Sequence, residues 1–227
     1  MIGFYDYTVI LTYLSLVSAS CGIIVSLSGG GHPYIGTFFL LFCGLCDAFD
    51  GKVARTKKDR SQTERSFGVQ IDSLSDLVAF GVLPAAIGSA MLRRSTLMPL
   101  VYGTPWQRVL EIGLTAILIL YILAAMIRLA YFNVTEEERQ RTESGARIYF
   151  TGLPVTTTAL IFPLVLLLQY IIPADVTPLY FAGAAFCAIA FLSPFQIRKP
   201  GLRGVLILVG IGVVEFFLML IGKFLKC

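Results

Sequence analysis

Charge is scarce in this chain. Asp, Glu, Lys and Arg make up 14% of its 227 residues, where a soluble domain carries about 25%. That shortage excludes an ordinary water-soluble fold of this length. Histidine is scarcer still: His32, in "SGGGHP", is the single one. One histidine with no ligand beside it cannot make a metal centre, and it reads as a turn residue. Cysteine is limited to Cys21, Cys43, Cys46, Cys187 and Cys227, mostly inside apolar runs. Cys43-x-x-Cys46 has the spacing of a redox or zinc pair, but without further Cys or His nearby it reads as helix packing. Basic patches suited to nucleic acid are missing too, because Lys and Arg fall in short segments between apolar runs. The net charge of +4 is therefore read as a topology bias with some attraction to anionic headgroups. The N-terminal "MIGFYDY" has no basic stretch, so a cleaved signal peptide is not expected.

What is abundant is apolar sequence. Hydrophobic residues reach 56% and the mean hydropathy is +0.80. They gather in runs of about 18 or more, the length of a membrane-spanning helix. Seven spans are expected, over 7–27, 34–54, 70–92, 108–132, 152–172, 178–195 and 204–225, the sixth short and interrupted by Ser193 and Pro194. The fold class is thus an all-α integral membrane protein, a polytopic helical bundle. Arg55, Lys57, Lys58, Arg60 and Arg65 follow span two. Arg139, Arg141 and Arg147 follow span four, and Arg198, Lys199 and Arg203 follow span six. The positive-inside rule puts these three segments and the N-terminus in the cytoplasm. Lys223 and Lys226, at the outer end, fit only weakly. The expected location is the cell (plasma) membrane.

Against this background Asp47, Asp50, Asp72 and Asp76, at the edges of spans two and three, are conspicuous. An ionised Asp deep in a span costs about 2.5–3.5 kcal/mol, so four approach about 10 kcal/mol as an upper bound. Total stability is typically about 5–15 kcal/mol, and something must compensate. Asp47, Asp50 and Ala54 stand at i, i+3 and i+7; Gly68, Asp72 and Asp76 stand at i, i+4 and i+8. Each set shares one helix face. A short segment joins the two spans, so the faces can meet. Gathered carboxylates repel unless cations lie between them, and hard oxygen donors suit Mg2+, Mn2+ or Ca2+. Gly51, Ala54 and Gly68 leave room for a ligand, and Arg55 offers a planar fork for phosphate. Together these suggest chemistry at phosphorus, with a spare carboxylate as base. Two other readings compete: an ion-pair cluster with Lys52, Arg55 and the loop bases, and an acid-lined ion or proton path. A path would carry charge further across the membrane, where only Arg128, Glu111 and Glu215 are expected.

"DAFDGKVAR…GVQIDSLSD" resembles the signature of the CDP-alcohol phosphotransferase family, D-x2-D-G-x2-A-R-x8-G-x3-D-x3-D. The matching residues are Asp47, Asp50, Gly51, Ala54, Arg55, Gly68, Asp72 and Asp76. One departure is the stretch from Arg55 to Gly68, "TKKDRSQTERSF", with twelve residues in place of about eight. That is an added turn of helix or a longer loop. "DSLSDLVAFGVLPA", "RLAYFNV", "FTGLPVTTTA" and "SPFQIRKP" resemble the phosphatidylserine synthases within this family, with Tyr131 and Thr156 replacing an Arg and a Pro.

The resemblance implies a six-helix membrane core over about 1–200 within a single domain of 1–227, the segment 201–227 adding a C-terminal span. It implies a homodimer, with a cavity open to cytoplasm and lipid. The implied reaction is CDP-diacylglycerol plus L-serine giving phosphatidylserine and CMP, with glycerol 3-phosphate or inositol phosphate as rival acceptors. By position, Asp47, Asp50, Asp72 and Asp76 would ligate two divalent cations, Mg2+ or Mn2+. Asp76 would also be the general base. Asp47, Gly51, Ala54, Arg55 and Gly68 would hold the nucleotide. Arg128 is the candidate for the acceptor carboxylate or the lipid phosphate, with Asn133 nearby; snorkelling is the other reading of Arg128. Lys57, Lys58 and Arg60 follow the positive-inside rule, Glu136–Glu138 read as a solvated loop, and Gly210 and Gly212 as packing positions in the last span.

Overall fold

A computed structural model of the chain describes residues 3–142, 149–172, 174–198 and 201–225. Arg147, Lys199, Lys226 and Cys227 lie outside the described residues. Helices dominate. A 3-10 turn at Tyr7–Val9 leads into α1 (Ile10–Leu27), followed by α2 (Pro33–Ala54), α3 (Gln62–Asp76), a π-helical turn at Leu77–Val82, α4 (Leu83–Arg94), the short α5 (Met98–Val101) and α6 (Trp106–Thr142). A strand β1 (Tyr149–Thr151) and a 3-10 turn at Val155–Thr157 precede α7 (Thr158–Ile171) and α8 (Thr177–Leu192). Strand β2 (Gln196–Arg198) and α9 (Leu202–Leu225) complete the order. The chain is an all-α polytopic membrane protein. Five stretches are long and apolar enough to span: Tyr7–Leu27, Pro33–Ala54, Gln62–Arg94, Trp106–Arg139 and Arg203–Gly222; Val155–Ile171 and Thr177–Leu192 are shorter apolar helices.

Three boundaries differ from the sequence reading. The third helix begins at Gln62, eight residues before the apolar run, because Ser61 and Glu64 form a reciprocal capping box that satisfies two N–H groups at the helix start. α6 has 37 residues, about 55 Å at 1.5 Å per residue, far longer than the roughly 30 Å hydrocarbon layer. The expected loop at Glu136–Glu138 is helix, with Arg139 Nη2 paired to Glu136 Oε1 at 2.6 Å. β1 and β2 form an antiparallel ribbon, pairing Tyr149 with Arg198 and Thr151 with Gln196.

The core lies among α4, α6, α7 and α8. Phe162 stacks on Tyr180 at 4.5 Å between centroids, and Tyr121 meets Phe162 edge-on at 5.7 Å. Lipid gives helices no hydrophobic reason to associate, so packing and polar contacts hold them. The polar contacts here follow from Pro84. It has no N–H to give, and the ladder widens ahead of it: Leu83 N–H bonds the Val78 carbonyl. The Phe80 carbonyl accepts from Tyr121 Oη at 2.5 Å and Thr158 Oγ1 at 3.5 Å, and the Pro84 carbonyl accepts from Tyr180 Oη at 2.7 Å. Left unpaired in lipid, the Phe80 carbonyl would cost several kcal/mol, whereas the Pro84 carbonyl lies inside α4 and takes Tyr180 as a further donor.

α9 packs against α7 and α2. Phe216 meets Phe38 at 5.1 Å. A Cβ on Gly212 would stand 3.3 Å from Leu160, whereas Gly210 faces open space. Cys43 and Cys46 are buried free thiols, Cys43 Sγ donating to the Ser15 carbonyl at 3.3 Å. His32 stands at the N-cap position of α2, where its side chain makes no capping hydrogen bond.

Candidate active site

The four aspartates lie on two neighbouring helices, Asp47 and Asp50 near the C-terminal end of α2 and Asp72 and Asp76 within the long Gln62–Arg94 helix. The Asp50 and Asp72 carboxyls are near enough to influence each other electrostatically. Asp47 is close to Asp72, and Asp76 is close enough to all three to feel their charge. Asp50 and Asp76 are each 9% exposed. Among the described residues none of the four enters an ion pair. Lys52 instead lies over the Phe49 ring at 5.0 Å, and the Arg55 guanidinium folds back over Gly51, where a Cβ would stand 3.6 Å from Nη1. The ion-pair cluster is therefore not what this structure forms.

These donors are hard oxygens on a largely buried face, a chemistry that fits a divalent cation. Among the described residues no three His, Cys, Asp or Glu side chains converge tightly enough to hold an ion as they stand. The acids share one place without being drawn onto one centre.

Gly68 sits at the α3 edge of this face. The Arg60 guanidinium lies against it, 2.6 Å from where a Cβ would be. Beyond the acids, Ser75 Oγ donates to the Thr12 carbonyl at 3.1 Å, tying α3 to α1. Asn133 Nδ2 donates to Ser73 Oγ at 2.6 Å, so Asn133 reaches α3 beside Asp72.

The other sequence candidate, Arg128, stands elsewhere. It is 5% exposed, its Nε donates to the Leu153 carbonyl at 3.2 Å and its guanidinium lies over the Phe132 ring. It is not a snorkelling residue at a helix end, since α6 continues to Thr142. A cavity of about 220 Å³ opens beside it, lined in part by Tyr131, Thr151, Ser193 and Pro194, and holds none of the four aspartates. Here "RLAYFN", "FTGLP" and "SPFQIR" converge. Gly152 has φ +75°, and a Cβ on it would meet the Phe191 carbonyl at 2.8 Å and the Ser193 carbonyl at 3.0 Å; only glycine fits.

Sequence reasoning missed the role of the first residues. Lys57 Nζ bridges Asp6 at 2.7 Å and Glu64 at 3.0 Å, and Phe4 meets Phe67 edge-on at 5.4 Å. Hydrogen bonds from Lys57 and then Thr8 pull the Asp6 carboxyl down to about 2. Nothing in the sequence pairs Asp6 with a base fifty-one positions on.

A helical membrane bundle that carries four neighbouring carboxylates on two of its helices, with no ion-pair partner among the described residues, defines a class: polytopic membrane proteins with an acidic cluster. The family model for CDP-alcohol phosphatidyltransferase matches residues 8–195, and the chain belongs to that family. It is similar to a CDP-diacylglycerol–serine O-phosphatidyltransferase of Saccharomyces cerevisiae, 36% identical over 59% of this chain and 42% of that protein. A protein of the same name from Helicobacter pylori is 27% identical over 71% of the chain and 58% of its own length. An archaetidylserine synthase of Methanothermobacter thermautotrophicus is 32% identical over 64% and 52%. The chain spans about half the length of the curated relatives it matches.

Proposed function

We propose that the protein transfers the phosphatidyl group of CDP-diacylglycerol to the hydroxyl of L-serine, giving phosphatidylserine and CMP. The observation that carries this is the gathering of Asp47, Asp50, Asp72 and Asp76 with no basic partner. Their carboxylates would hold two divalent cations, Mg2+ or Mn2+, which supply charge neutralisation at the diphosphate and at the departing phosphate. Asp76 accepts the proton of the serine hydroxyl as that oxygen bonds to the lipid-side phosphorus. The phosphorus–oxygen bond to CMP breaks, and CMP leaves with the bonding electrons. Asp47, Gly51, Ala54, Arg55 and Gly68 hold the cytidine diphosphate. Asn133 orients the Asp72 turn through Ser73, and Arg128 with its cavity is the place for an anionic acceptor or headgroup group.

Asp47 and Asp50 lie near the end of α2 that leads into the polar link, so the diphosphate would meet water while the acyl chains stay in lipid. The basic link after α2 supports a cytoplasmic site in the plasma membrane. We take the working unit to be a homodimer of one domain, with α9 an addition to a six-helix core.

The experiment is CMP release from CDP-diacylglycerol by purified protein with Mg2+ or Mn2+, offered L-serine, glycerol 3-phosphate or inositol phosphate separately. Release with serine alone is expected. Release with another acceptor alone keeps the aspartate chemistry and overturns serine. No release with any acceptor from folded, metal-supplied protein overturns the transferase reading.

A further inference from the structure

Arg60 stands outside the aspartate motif. It lies in the link between α2 and α3, within the stretch that is longer than the family spacing. Its Nη2 donates to the Glu64 carbonyl at 3.2 Å, folding the side chain back onto the start of α3. Its Nε is buried and has no acceptor among the described residues, and Arg60 forms no ion pair there. A buried donor without an acceptor costs about 1–3 kcal/mol, more when charged. The guanidinium reaches this position because Gly68 has no side chain: a Cβ would stand 2.6 Å from Nη2. Gly68 shares its helix face with Asp72 and Asp76, one and two turns on. On the facing helix end, Arg55 lies over Gly51 in the same manner. Two guanidiniums thus each lie over a glycine of the helix that carries a pair of the aspartates.

This arrangement suits an anion with two phosphates. Cations held by the carboxylates attract it from one side, and a planar fork of N–H donors grips its oxygens from another. We propose that Arg60 is a positioning residue that donates, through Nε and one Nη, to the diphosphate of the cytidine-linked substrate. The inference rests on the functional reading above and adds to it a contact that the aspartate motif does not contain.

The test uses the full chain in detergent with Mn2+, titrated calorimetrically with CDP, CMP and cytidine. Arg60→Gln is expected to weaken CDP about tenfold, CMP by less than about threefold and cytidine not at all, as fits loss of one charge-assisted contact to the second phosphate. The KM for CDP-diacylglycerol rises with it while kcat stays within about threefold. Arg60→Lys falls between, keeping the charge and losing the fork. Equal weakening of CDP and CMP, or no weakening of CDP, overturns the proposal. Should Arg60→Gln fail to fold, Arg60→Lys decides: loss confined to CDP supports the contact, and unaltered CDP affinity overturns it. Wild-type protein that binds neither CDP nor CMP overturns the functional reading itself, and this contact with it.

Discussion

Two regions of the bundle treat polar groups in opposite ways. Around Pro84 the Phe80 carbonyl, which the proline cannot serve as donor, is met by Tyr121 and Thr158. On α2 and α3, four carboxylates are set close together and no base among the described residues reaches them. Both regions lie in apolar surroundings where an unmet polar group is costly. The first is therefore architecture, closed within the chain. The second stays open among the described residues, which is the arrangement the proposed cation site requires. That contrast separates the two regions more sharply than burial does, since Asp50 and Asp76 are as buried as the core residues Met98 and Leu167.

The largest effect expected on the open side is from Asp76→Asn. Loss of the base should lower CMP release about 10²–10⁴-fold while CDP still binds calorimetrically. Near-normal turnover would remove Asp76 from the base role. Asp50→Asn should also shift the Mn2+ concentration for half-maximal release upward by roughly tenfold; an unmoved metal titration would take Asp50 out of the ligand set.

The open site was largely legible in the sequence because helical geometry is rigid. Offsets of three and four residues place Asp47 with Asp50, and Asp72 with Asp76, on one face whatever the rest of the chain does. Asn133 and Arg128 were legible as polar residues near a helix end, but their partners were not. Ser73 and the Leu153 carbonyl are distant in sequence, and α6 has to pack before either is near. The length of α6 was hidden by its polarity: "TEEERQR" looks like solvent-facing loop, yet Glu, Gln and Arg are good helix formers and the Glu136–Arg139 pair supports another turn. The start of α3 was misplaced for the same reason, although Ser61-x-x-Glu64 is a capping signal. Pro84 announces an orphaned carbonyl; that Tyr121 answers it depends on tertiary packing alone.

On the closed side the larger effect belongs to Gly152→Ala. A positive φ costs a non-glycine residue about 1–3 kcal/mol, and the two carbonyls beside its Cβ add a clash. A fall of about 4–10 °C in the detergent melting temperature is expected for a chain of this size; an unchanged melt would mean the ribbon and the Phe191–Ser193 turn yield freely. Tyr121→Phe should cost about 0.6–1.7 kcal/mol, as interhelical hydrogen bonds in membranes do, seen as a fall of about 2–6 °C with specific CMP release within about twofold of wild type. Tenfold loss of release at an unchanged melting temperature would break the comparison, because the Phe80 carbonyl would then shape the aspartate site one turn away.

The smallest effect tests a carboxylate that the chain does satisfy. Asp175, between α7 and α8, accepts from Ser95 Oγ at 2.6 Å, Thr96 N at 2.7 Å and Thr177 N at 2.8 Å. Partial burial alone would raise its pKa, but the donors from Ser95, Thr177 and Thr96 together outweigh it and bring the group down to about 2. A folded pKa below the unfolded value of about 3.9 means that the charge contributes stability above roughly pH 4 and loses it as pH falls towards 2. Asp175→Asn keeps one acceptor and removes the charge. Its melting temperature should lie below wild type by about 2 °C or less between pH 5 and 8, with the gap closing below pH 4. A gap that stays constant down to pH 3 would show that Asp175 holds the α4–α5 and α7–α8 turns together by geometry rather than by charge. The distinction between carboxylates met by donors and carboxylates left for a ligand would then rest on the aspartates of α2 and α3 alone.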